Sequence, residues 1–304
     1  MSKYHCLIAG LPDITLDDSK QVYSVQSFKE ETYPLLSRKD RKLFDLFFLK
    51  YDNQNLLCWI NNPTEESIST FDIRATISPD QFIEFAKTYE AGEKIKKNIP
   101  SYIINFLKSY FIVDESTERE NAYEEDSEQT MLAIAPEDSL AALYYSYAMK
   151  QGNTFFSDWF EFNLTIKNIL TAVTCIKHGL DRNLYVVGEN SIAENLRKSN
   201  AKDFDLGDDF ELLPELLRLA EETDLVEREK KIDLLKWEWL DENTIFKTFG
   251  IESVFAYLLK IEMIERWTGL DKASGEATFR ELIDAMKKDS NEVLNEFKKK
   301  NNTI

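Results

Sequence analysis

Large apolar residues recur along this chain with a helical period. Phe44, Phe47, Phe48, Tyr51, Asn55, Cys58 and Trp59 follow one another at spacings of three and four, so they share one face of a helix. One member is out of character, because Asn55 stands inside the apolar stripe. The pattern returns 113 positions later, where Phe160, Leu164, Asn168, Ala172 and Cys175 form the stripe. Written one beneath the other, LFFLKYDNQNLLCWI and WFEFNLTIKNILTAV place Phe160 on Phe47, Asn168 on Asn55 and Leu170 on Leu57. A buried carboxamide must find partners or cost about 1–3 kcal/mol, so it fixes how neighbouring segments align. The alternative is that each Asn caps a new helix, a position Asn favours. Either role is architectural.

Punctuation divides the rest. The opening YHCLIAGLPDI reads as a short extended segment closed by a Gly-Leu-Pro-Asp turn, and a helical pattern then runs from Ser27 to about Asn61. Ser78-Pro79-Asp80-Gln81 combines a cap, a first-turn proline and a returning Gln, predicting a helix from there to about Lys97. A further helix is predicted from Pro100 to Phe111. Residues 114–130 hold eight acids against one Arg, the composition of an exposed linker. Pro136 opens a helix that stops near Gly152, and the acidic, Gly-containing stretch Asp203–Asp209 marks a second boundary. From Pro214 onward the pattern is helical almost to the end, although Ser253 stands where the first two copies have Asn. The chain is therefore read as mostly α, in three related helical modules: 1–113, 131–202 after the acidic linker 114–130, and 203–304.

Composition agrees. Gly (9) and Pro (7) are scarce among 304 residues, and long runs of Leu, Glu, Lys and Ala favour helices. A formal charge of −18 opposes nucleic-acid binding and insertion into an anionic lipid surface, and attracts a basic protein surface. No apolar run is long enough for a membrane span, and neither a secretory signal nor a disulfide framework is evident, which points to the cytoplasm. Cys175 and His178 share a helical face and could hold a metal, but a structural zinc wants four ligands and nothing nearby completes the set. Glu262 and Glu265 lie one turn apart, an ordinary arrangement for a solvated face. No phosphate loop, dinucleotide turn or nucleophile elbow occurs, so no catalytic residue and no cofactor is assigned. The 38 aromatic residues fall mostly on the apolar stripes, although Trp237 and Trp239 cannot share one face, which sends one of them to the surface or to a contact between modules.

The aromatic runs followed by Asn-Leu-Leu and Asn-Ile-Leu resemble the C subunit of A/V-type rotary ATPases, called subunit d in eukaryotes. In YDNQNLL, Asp52 and Asn55 stand at the positions where that family carries Asp and Asn; the second copy keeps Asn168 but has Thr165 for the Asp. AYLLKIEMIERW, from Ala256, is similar to the closing helix of that family. The opening YHCLIAGLPD resembles a bacterial family of uncharacterised proteins that accompany V-type ATPase components. The resemblance implies three related helical domains forming a funnel. It also implies a non-enzymatic part that joins the central stalk to the membrane rotor ring, contributes to proton or sodium transport, and is held at the inner membrane through partner subunits. Against this stand two rivals: a free-standing cytoplasmic helical scaffold, and a metal-dependent or hydrolytic enzyme.

Overall fold

Ser37, Asn153 and Asp224 each accept hydrogen bonds from backbone N–H groups two or three residues ahead, and from these caps run the three longest helices. The computed structural model describes residues 4–16, 23–90, 99–117, 134–207 and 210–269. In chain order the helices are α1 (His5–Ala9), α2 (Val25–Ser27), α3 (Arg38–Asn61), α4 (Glu65–Ser69), α5 (Pro79–Glu90) and α6 (Ser101–Thr117). After these come α7 (Pro136–Met149), α8 (Thr154–His178), α9 (Arg182–Tyr185), α10 (Ser191–Lys198), α11 (Leu213–Ala220), α12 (Leu225–Thr244) and α13 (Ile251–Gly269). Among the described residues there is no strand.

The opening segment is helical, not extended. No strand among the described residues offers it a ladder, and α1 is instead tied down by Tyr4, whose hydroxyl donates to the Asp40 carboxylate at 2.5 Å beside the start of α3. The pattern from Ser27 to Asn61 is not one helix either. α2 passes into a π-helical turn (Phe28–Thr32) and a 3-10 turn (Tyr33–Leu35); then Leu36 and Ser37 turn extended, and α3 begins afresh. Pro34 lacks an N–H to continue the ladder, and Ser37 supplies a cap. The Ser78 box forms: Ser78 N–H donates to Gln81 Oε1 at 3.1 Å, and Gln81 N–H donates to Ser78 Oγ at 3.3 Å. Residues 91–98, the far part of that predicted helix, lie outside the described residues. α6 continues to Thr117, so the first four residues of the predicted acidic linker are helical; the remainder of it lies outside the described residues.

The core passes without a break through all three predicted modules. One residue from each of α3, α8 and α13 meets at its centre. Phe44 of α3 lies edge-on to Phe255 of α13 (5.3 Å between centroids) and to Phe156 of α8 (6.0 Å), while Phe156 stacks on Phe255 at 4.0 Å. All three are fully buried, and such ring pairs add to the area they remove from water. Around this junction α8 is packed by α7, α9, α10 and α11, and α13 lies against α12 and α2. Trp239 of α12 takes its place at a contact between the second and third modules, stacked on Phe162 at 5.1 Å and beside Trp159 and Phe155. Trp237 points elsewhere, beneath the Lys260 ammonium at 4.5 Å.

Candidate functional site

Asn55 and Asn168 are both buried within the interiors of their helices, and neither caps one. Each amide turns to a single residue in the connection that follows its helix. Asn55 Oδ1 accepts from the backbone N–H of Asp72 at 2.8 Å while its Nδ2 donates to the carbonyl of the same residue at 3.2 Å. Asn168 Oδ1 accepts from Val187 N–H at 2.9 Å and its Nδ2 donates to Val187 O at 2.6 Å. A carboxamide carries one acceptor and one donor side by side, as a peptide group does, so each Asn stands in for a strand neighbour. In both places the order is the same: a long helix, a helical turn (α4 or α9), a clamped connection, and the next helix (α5 or α10).

A basic side chain completes each clamp. Lys29 Nζ donates to the carbonyls of Arg74 and Ala75, each at 2.6 Å. In the second connection Arg197 Nη2 donates to Val186 O at 2.8 Å and also to Gly188 O. Gly188 has φ +93°, and a Cβ there would meet Leu164 Cδ2 of α8 at 3.1 Å, so this connection needs glycine twice over.

The first clamp has an extra part. Asp52, one turn before Asn55, accepts from Thr76 N–H (2.9 Å) and Thr76 Oγ1 (2.8 Å) through Oδ2, and from Ile77 N–H (2.8 Å) through Oδ1. Burial pushes its carboxyl up to about 6, against the opposing pull of those three donors and of Lys29. Thr165, at the corresponding place in α8, is buried too but carries no charge.

The connection from Asp72 to Ile77 is also the place where the end of the described chain returns. Arg74 forks onto the Asp72 carboxylate at 2.6 Å, lies over the Tyr51 ring at 4.3 Å, and reaches Glu265 of α13 at 3.0 Å. Glu265 accepts in turn from the Val25 N–H at 2.8 Å, and one turn earlier Glu262 pairs with Lys50 of α3 at 2.8 Å. Burial alone would raise Glu262, but Lys50, with Arg266 and Lys236 further off, holds it below the usual carboxylate range. These two acids are thus half-buried ties between α13 and the first module, not members of a solvated face. Sequence spacing could not show this, because their partners lie about two hundred positions away.

Among the described residues the third module has no such clamp. Ser253 sits in the first turn of α13, not mid-helix, and its hydroxyl donates to Lys247 O at 2.7 Å across the preceding turn. Its buried polar group is Asp233 of α12, which accepts from Trp267 Nε1 at 2.8 Å and holds the Arg266 guanidinium. Asp233 lies between Ile232 and Leu234 in KIDLLKWEWL, a local signal for a buried acid that the run of neighbouring charges hides.

Cys175 is buried whereas His178, in the last turn of α8, is exposed, so the two do not face one cavity. Among the described residues no group of three or more His, Cys, Asp or Glu is placed to hold a metal ion. No helix of the described residues is long and apolar enough to cross a membrane.

A family described as Protein of unknown function (DUF2764) matches residues 1–290. The chain belongs to the DUF2764 family. No curated protein matches this DUF2764 chain, and no solved structure does.

Proposed function

We propose that this DUF2764 protein is a non-catalytic coupling subunit of a V-type ATPase, joining the central stalk to the membrane rotor ring. The observation that carries the reading is the repeated clamp: Asn55 and Asn168 each bind one residue of the following connection by both of its peptide groups. Support also comes from the likeness of YDNQNLL to the motif of the A/V-type C subunit, where Asp52 and Asn55 are the matching positions. A part that carries torque has to be stiff, and connections between helices are ordinarily its softest elements. Clamping them from within the core makes the helix and its connection move as one body. The three modules would form the funnel of that family, the −18 charge would favour Lys- and Arg-rich cytoplasmic loops of the ring, and no residue would carry out chemistry.

The test is composition. An ATPase purified from native membranes with stalk and ring complete should contain this chain in fixed proportion to the stalk subunits, as read by quantitative mass spectrometry. A complete and active complex that lacks the chain overturns the proposal.

A further inference from the structure

The turn between α12 and α13 exposes three large apolar side chains within five residues. Phe246 is 96% exposed, Ile245 64% and Phe249 40%. Exposed single hydrophobes are common, but a cluster of this kind at one tip marks a contact surface. The turn that carries them is held by its own bonds. Lys247 N–H donates to Thr244 O and Gly250 N–H to Lys247 O, both at 2.8 Å, and Ser253 Oγ donates to that same carbonyl at 2.7 Å. The ring of His5 packs on Phe249 at 4.2 Å. An aromatic side chain on a prepared turn loses little freedom when it docks, which suits it to the role of an anchor.

Charge selects the occupant. The last two turns of α12 present Glu238, Asp241 and Glu242 to solvent beside the tip, and Glu252 stands half-buried in the first turn of α13. Two described cations near it are engaged: Lys260 pairs with Asp241 at 2.5 Å, and Lys247 Nζ lies 5.0 Å from the centroid of the Phe155 ring. The tip is therefore apolar at its point and acidic at its base. An anionic lipid surface would accept the point and repel the base. A second copy of the chain would meet a partner of the same −18 charge.

We infer that the 245–249 turn is a docking tip whose Phe246 enters an apolar pocket, rimmed by Lys or Arg, on another protein. This inference stands independently of the rotary reading, since it names the chemistry of the pocket and not the assembly that holds it.

The experiment replaces Phe246 of the full chain by a photoreactive phenylalanine in cells, followed by illumination and peptide sequencing of the adduct. The expected result is one partner polypeptide joined at one site among apolar residues with Lys or Arg beside them. That polypeptide, purified, should then bind the chain about tenfold or more weakly after Phe246→Ser, the usual scale for loss of an aromatic anchor. Glu238→Lys with Glu242→Lys should slow association and remove its salt dependence. Because Phe246 is almost wholly in water, its replacement leaves packing untouched, and a thermal melt of Phe246→Ser should overlay that of the parent. Adducts to lipid, to a second copy, to many proteins or to none overturn the inference, as does unchanged affinity of Phe246→Ser.

Discussion

A side-chain amide that takes both peptide groups of one residue leaves both orphaned when it is removed. Asn168 is 1% exposed, so Asn168→Leu strands Val187 N–H and O without access to water, at a cost of about 2–4 kcal/mol for two buried groups. Asn168→Asp is more instructive. Its carboxylate keeps the bond from Val187 N–H but sets a negative oxygen against Val187 O, and a proton restores a donor. Urea unfolding should find this variant far weaker than the parent at pH 7 and closer to it at pH 5; equal deficits at both pH values would contradict the clamp geometry. Asp52 makes a separate pH prediction. Its folded carboxyl, lifted by burial to about 6, binds protons more readily than in the unfolded chain. The folded state therefore gains stability that is fully present below the unfolded value and is lost as pH rises through about 6. Relative to Asp52→Asn, the native protein should lose about 2 kcal/mol between pH 4 and pH 7.5, measured by urea titration across that range.

Connections, rather than helices, carry the information at the next scale. Gly188→Ala combines a left-handed backbone with a Cβ 3.1 Å from Leu164, and should destabilise by about 1–3 kcal/mol. Gly152→Ala meets no atom within 4 Å and should change little, so a pair of denaturation curves distinguishes a required glycine from a tolerated one. The Arg74–Glu265 pair joins a clamped connection to α13 with Arg74 already oriented by Asp72 and Tyr51. A double-mutant cycle with Arg74→Met and Glu265→Gln should report coupling of about 1 kcal/mol, the upper end for a half-exposed pair, because little side-chain freedom remains to be lost. The solvated Lys198–Glu194 pair should give no measurable coupling by the same cycle. The helix start at Ser78 was legible in the sequence, since a cap and its returning Gln are local chemistry. The helical opening and the break before α3 were not: the first depends on Asp40 receiving Tyr4 from a distance, and the second on Pro34 and Ser37 acting together.

In the whole molecule, Phe44, Phe156 and Phe255 place the three modules around one shared core. Thermal unfolding followed at separate probes should therefore be a single transition, and Phe255→Ala should lower stability at every probe together, by about 3–5 kcal/mol. Two transitions, with only the 203–304 part affected, would show the modules to be independent. What the sequence determined alone was short-range: the helical period, the two apolar stripes, the Ser78 capping box, and the presence of an amide inside each stripe. Only the tertiary structure decided where those amides turn, that Glu262 and Glu265 tie α13 to the first module, and that Phe246 is left in water. The reason is physical. A helix is specified by neighbours three and four residues away, whereas the partner of a buried polar group is whichever distant backbone the packing of the whole chain brings within about 3 Å of it.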